Sequence, residues 1–107
     1  VETDGRFILK DLLNYPNPVQ NETKITAGHN RPEKLMDITI TIYDLSGRAV
    51  RIIRTTEITS GYQLSPIIWD GKSEEGSRVG KGIYIYRISV VTPDGEKASA
   101  SGRIIIL

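Results

Sequence analysis

No cysteine occurs among the 107 residues, and histidine, methionine, tryptophan and phenylalanine occur once each. Without cysteine there is no disulfide framework, no thiolate nucleophile and no thiolate-bound zinc. A lone histidine cannot supply a multi-imidazole zinc site, and hydrolytic catalysis needs a nucleophile, a base and an orienting group together. That histidine, His29, lies in Gly28-His29-Asn30-Arg31-Pro32, a loop composition, and is expected to be solvated with no catalytic part. No apolar run approaches the length that spans a bilayer. Lys and Arg number 14 against 13 Asp and Glu, a formal charge of +1, which argues against a nucleic-acid partner. The first residues, Val1-Glu2-Thr3-Asp4, lack the basic start and apolar core of a signal peptide. A piece of a longer protein, with any export signal upstream, is the expectation.

What is present is alternation. Apolar residues recur at every second position and not at the helical period, so the chain reads as all-β. In Met36 to Tyr43, Ile38, Ile40 and Ile42 face one way and Thr39, Thr41 and Tyr43 the other, and β-branched residues suit a pleated surface. Asp44-Leu45-Ser46-Gly47-Arg48 supplies turn chemistry before Ala49 to Thr55 returns, making a hairpin. Ile83 to Val91 is the longest strand, with Tyr84, Tyr86, Ile88 and Val90 on one face. Pro93-Asp94-Gly95 closes it, so Lys97 to Leu107 should run back antiparallel. Phe7 to Leu13, Thr23 to Ala27 and Gln63 to Trp69 bring the count to about seven, as in an immunoglobulin-like antiparallel sandwich. Residues 1–10 read as a linker leading into one domain over 11–107, with a polar loop from His29 to Lys34.

The candidate chemistries are few. Asp70 to Gly76 is the one acidic cluster, but Lys72 stands where a calcium loop wants a carboxylate, so a solvated turn is expected. Glu74, Glu75 and Asp94 fall in turns with nothing to raise a pKa for glycoside chemistry. The chain is read as non-catalytic and without a cofactor. Trp69 with Tyr62, Tyr84 and Tyr86 makes either an aromatic sugar platform or, as a strand-end Trp usually does, part of a sandwich core. Arg48, Arg51, Arg54, Arg78, Lys81, Arg87 and Arg103 make either a basic stripe for an anionic surface or solvated strand faces and edge protection.

Several segments, in order and spacing, resemble a known family. They are Asn14-Tyr15-Pro16-Asn17-Pro18, then Ile42 to Val50 around Asp44 and Gly47, Trp69-Asp70-Gly71-Lys72, Gly76 to Val79, and Gly82-Ile83-Tyr84-Ile85-Tyr86-Arg87. Together they look like the C-terminal sorting domain of type IX secretion, found in Bacteroidetes-type bacteria, and like its relative, the immunoglobulin-like domain of the flagellar hook-capping protein. Pro16 and Pro18 fix φ and withdraw two amide donors, so this opening segment must be a turn or an edge. Where the family commonly has an aromatic after the second proline, this sequence has Val19.

The resemblance implies a cargo address. Such a domain directs its protein across the periplasm and through the outer-membrane translocon to the cell surface, docking on a shuttle β-barrel. It spans no membrane itself. The residues implied in recognition are Lys97, Gly102, Arg103, Ile104, Ile105, Ile106 and Leu107. The Gly28-His29-Asn30 and Ser101 to Leu107 segments look most like the domain of the system's own sortase, a gingipain-related cysteine peptidase. The alternatives are a structural spacer or hook-cap-type module, and a carbohydrate-binding module. On the terminal strand, one face, either Ile104 and Ile106 or Arg103, Ile105 and Leu107, must serve the core.

Overall fold

The computed structural model describes residues 5–107 and builds them from seven strands: β1 Leu9–Tyr15, β2 Thr23–His29, β3 Leu35–Tyr43, β4 Ala49–Ile58, β5 Ile67–Trp69, β6 Gly82–Val91 and β7 Lys97–Ile106. They form two antiparallel sheets, one in the order β1-β2-β5 and the other β4-β3-β6-β7. The period-2 pattern explains the layering. Met36, Ile38, Ile40 and Ile42 of β3 and Tyr84, Tyr86, Ile88 and Val90 of β6 all point into the sandwich. Ile25, Ala27, Leu64 and Trp69 meet them from the other side, and Val19 closes the core beside Ile106. Each fully buried isoleucine adds about 1.5–3 kcal/mol.

β4 runs on three residues past Thr55 to Ile58, and three further strand boundaries differ from the sequence reading with consequences for packing. The strand expected at Phe7 to Leu13 lies at Leu9–Tyr15, interrupted by a bulge between Lys10 and Leu13 where Asp11 takes φ 54°. Phe7 precedes it and is buried, so packing begins ahead of residue 11, while residues 1–4 lie outside the described residues. The strand expected at Gln63 to Trp69 shrinks to Ile67–Trp69, because Pro66 has no amide donor; Gln63 keeps only an isolated bridge to Gly28. The third is β2, which runs on through His29, paired there with Leu9.

His29 is therefore no solvated loop residue. It is 1% exposed, and burial is tolerated because both ring nitrogens are satisfied. Its Nδ1 accepts the Arg31 N–H at 2.9 Å, which leaves the proton on Nε2 to donate to Thr59 Oγ1 at 2.8 Å. The Thr59 hydroxyl in turn donates a hydrogen bond to Gly61 O at 2.7 Å. Desolvation holds the imidazole below its usual pKa, against a smaller upward pull from Glu57. Below about pH 6.5 the unfolded chain thus binds a proton that the folded one refuses, so stability falls as pH drops from there toward the folded-state pKa. The shifted carboxylates act lower: Glu96 beside Arg31, and Asp94, held at about 2 mainly by Lys34, lose their contributions only as pH falls below the usual carboxylate range. Urea titrations at pH 7 and pH 5 should show a loss in the parent chain. In His29→Leu the stability at pH 7 is lower but the slope between the two is flat; an unchanged slope would assign it elsewhere.

Candidate functional site: the terminal strand and its clasp

Strand β7 lies at the edge of its sheet and pairs with β6 along its whole length, from Val91 with Lys97 to Gly82 with Ile106. Ile104 and Ile106 are buried at 0% and 4% exposure, whereas Arg103, Ile105 and Leu107 are exposed. The first of the two faces open at the sequence level is the one that serves the core. Outside, Ile105 stands directly across from Ile83, and Arg103 across from Ile85. Ile83 and Ile105 keep 40% and 38% of their surface, an apolar spot at the end of the sheet. Gly102 faces inward beneath Tyr86, whose ring occupies the space a side chain would need. Lys97, at the other end, is exposed.

The opening motif closes this strand's outer edge. β1 ends at Tyr15, two cis X-Pro bonds follow at Pro16 and Pro18, and Val19 arrives beside Ile106 in a parallel bridge. Val19 N–H donates to Ile105 O at 2.7 Å and Val19 O accepts from Leu107 N–H at 2.9 Å. Asn17 completes the seam with its side chain, donating Nδ2–H to Arg103 O at 3.1 Å and accepting Ile105 N–H on Oδ1 at 3.0 Å. A carboxamide has the donor and acceptor of a peptide unit, so Asn17 substitutes for one strand residue. Asn14, buried, accepts the Tyr86 hydroxyl at 3.3 Å and so joins the motif to the core behind β7. The prolines signalled an edge in the sequence; the pairing of Asn17 and Val19 with the far end of the chain did not show there. Val19 is fully buried where an aromatic would be usual, and its branched side chain fills the core beneath the seam.

Asn30 repeats the device at the other end of the sandwich. Its Nδ2–H reaches Arg6 O at 2.6 Å and its Oδ1 accepts Ile8 N–H at 3.0 Å. Arg31 binds Glu96 through both carboxylate oxygens at 2.7 and 2.6 Å, donates to Gly5 O and lies 5.5 Å over the Phe7 ring. Sequence reasoning saw in these residues a polar loop and, at Asn30, part of a family resemblance, but none of these bonds.

The remaining motif residues build turns and core. Asp44 Oδ1 accepts from Ser46 N–H at 2.9 Å and Arg48 N–H at 3.1 Å, which shapes the turn in which Gly47 takes φ 90°. Asp70 accepts the Lys72 N–H at 3.0 Å, and Gly71 takes φ 76°. Glu74 lies along β4, its N–H donating to Val50 O and its carboxylate accepting from Ile52 N–H. Trp69 is fully buried, edge-on to Tyr84 at 6.2 Å, with Nε1–H donated to Lys72 O. Tyr84, which follows Gly82 on β6, donates its hydroxyl to Gly80 O. Of the four aromatics considered as a sugar platform only Tyr62 is exposed, so they form no common face. The basic stripe also divides. Arg48 pairs with Asp44, Arg51 with Asp70 and Glu74, and Arg78 donates to backbone carbonyls, while Arg54, Arg87 and Arg103 face outward from the four-stranded sheet.

Residues 14–106 match the family described as the secretion system C-terminal sorting domain. The chain belongs to that family. Its sandwich superposes on PorU from Porphyromonas gingivalis, solved as a dimeric latent form, with a TM-score of 0.81 and 29% identity over 100% of this chain. The match covers 10% of that chain, so this sorting domain spans a tenth of the length of its relative. A β-glucuronidase from Parabacteroides merdae shares the fold, with a TM-score of 0.63 and 15% identity over 94% of this chain and 13% of its own. No curated protein matches the sequence. A sorting domain of type IX secretion is a non-catalytic signal that interacts with its export machinery, and it implies export of its parent to the cell surface. Among the described residues no helix is long and apolar enough to cross a membrane.

Proposed function

We propose that residues 11–107, led in by 1–10, carry a parent protein across the periplasm to the outer-membrane surface by docking on a shuttle β-barrel, and that the outward face of β7 makes the contact. The observation that supports this is the division of labour along the terminal strand. Ile104 and Ile106 are committed to the core, while Arg103, Ile105 and Leu107 lie at the surface beside Ile83. An exposed apolar spot next to a cation on a well-held strand suits protein recognition. The likeness to PorU supports a parent of the same kind, which the sequence resemblance reads as the system's gingipain-like cysteine peptidase, its sortase.

The test is a reporter fused to residues 1–107 in a type IX host, compared with the same fusion bearing Arg103→Ala and Ile105→Ser. The substitutions leave Ile104 and Ile106 in the core and give up only the cross-strand pair of Ile105 with Ile83, so stability stays within about 2 kcal/mol of the parent and the domain remains folded. Surface display should fall about tenfold, the loss of one interface anchor. Equal display would remove this face from the docking site, and failure of the parent fusion to reach the surface would sink the sorting role itself.

A further inference from the structure

The clasp stops short of the first half of β7. Backbone groups of Arg103, Ile105 and Leu107 point away from β6, since they are what Asn17 and Val19 bind. The alternation of an antiparallel ladder then sends the N–H and C=O of Ser99 and Ser101, and the N–H of Arg103, out of the same edge. Among the described residues no hydrogen-bond partner meets them. Other edges are managed at least in part: β1 is broken by its bulge, β5 is 3 residues long, and Glu74 covers β4 at Val50 and Ile52 but not at Arg54 and Thr56.

Side chains give this open stretch its character. Ser99 and Ser101 are small and exposed, and Ala98, Ala100 and Gly102 between them are only half-buried although β1 runs close beside this strand. Lys97 and Arg103 bracket the stretch, and Arg87 of β6 lies between them, donating to Ser99 Oγ at 3.2 Å. None of the three cations has an ion-pair partner among the described residues. The acids nearest in sequence, Glu96 and Asp94, are held by Arg31 and Lys34, and Asp37 faces outward two strands away, beside Val91.

We propose that the Lys97–Arg103 edge of β7 is a strand-acceptor site, and that its occupant is an extended acidic segment of the export machinery, added to the sheet as a further strand. This rests on the sorting role proposed above and names the partner's chemistry. Main-chain hydrogen bonds supply the attraction and the unpaired cations select the sign of charge. A second copy of this edge would set like charges against each other, which disfavours self-pairing.

The edge is tested apart from secretion by titrating the folded chain with the peptides (Thr-Glu)4 and (Thr-Lys)4 and following backbone amides by NMR. The acidic peptide should slow exchange at Ser99, Ser101 and Arg103, and the basic one should not. Ser101→Pro removes an amide hydrogen that the β6–β7 ladder does not use, so it should abolish the response without unfolding the chain. Should that variant melt early, Arg87→Glu with Lys97→Glu replaces it, and this pair should reverse the preference between the peptides. No protection, or equal protection by both peptides, overturns the site. In the type IX host the folded variants should display a fused reporter about tenfold less than the parent. Undiminished display with peptide binding lost would likewise overturn the edge as the machinery's contact. A parent fusion that binds the acidic peptide but never reaches the surface overturns the sorting role and leaves a strand-acceptor site without it.

Discussion

Replacing Gly102 with leucine unfolds the domain. A Cβ at that position would lie 2.6 Å from Cε1, Cζ and Oη of Tyr86, and this ring has nowhere to go because it is 1% exposed and tied by its hydroxyl to Asn14. Alanine alone should cost about 3 kcal/mol, the upper part of the overpacking range, and leucine exceeds what a domain holding about 5–15 kcal/mol in all can absorb. Removing Gly102 to Leu107 should have the same outcome for the opposite reason. Ile104 and Ile106 leave the core, each loss about 2–5 kcal/mol by analogy with large-to-small substitutions, and Tyr84 and Tyr86 lose their cover. Urea unfolding and near-ultraviolet circular dichroism read both. A truncated chain with the parent's midpoint would mean that β7 is dispensable to the fold. If the chain unfolds as expected, terminal truncation cannot separate signalling from folding, and only changes on the outward side of the strand can.

Trp69→Ala should cost about 3–5 kcal/mol, the range for emptying a buried aromatic site. The side chain is fully buried, its ring meets Tyr84 edge-on at an interplanar angle of 65°, and its N–H holds the Asp70 to Ser73 turn through Lys72 O. Losing it opens a cavity and frees the turn that carries Glu74 onto β4. Tyr62→Ala, at a ring 65% exposed, should stay within about 0.5 kcal/mol of the parent. A sugar platform demands the reverse ranking, with binding lost and stability kept on changing Trp69. Melting of the two variants side by side decides between them.

Much of this was legible in the sequence because strands announce themselves by alternation. Ile38, Ile40 and Ile42 against Thr39 and Thr41 fixed a face with no structural knowledge, and Pro93-Asp94-Gly95 fixed the partner of the terminal strand. Pairings carried by single side chains across the whole chain were not legible. Nothing about Asn17 distinguishes a turn asparagine from one whose amide stands in for a strand residue at Arg103 and Ile105. His29 misled for a related reason. Its neighbours Gly28, Asn30 and Pro32 are loop formers, but Thr59 and the Arg31 amide, which make its burial tolerable, lie outside any local window or belong to the backbone.

The clasp also bears on the order in which the chain can fold. Asn17 bonds to residues 86 and 88 positions further on. Contacts that distant are slow to form, and this pair cannot form before the seventh strand is available. A chain delivered from its amino end therefore keeps Tyr84 and Tyr86 uncovered until the last strand arrives, and it stays pliable for as long as β7 is withheld or held extended by another protein.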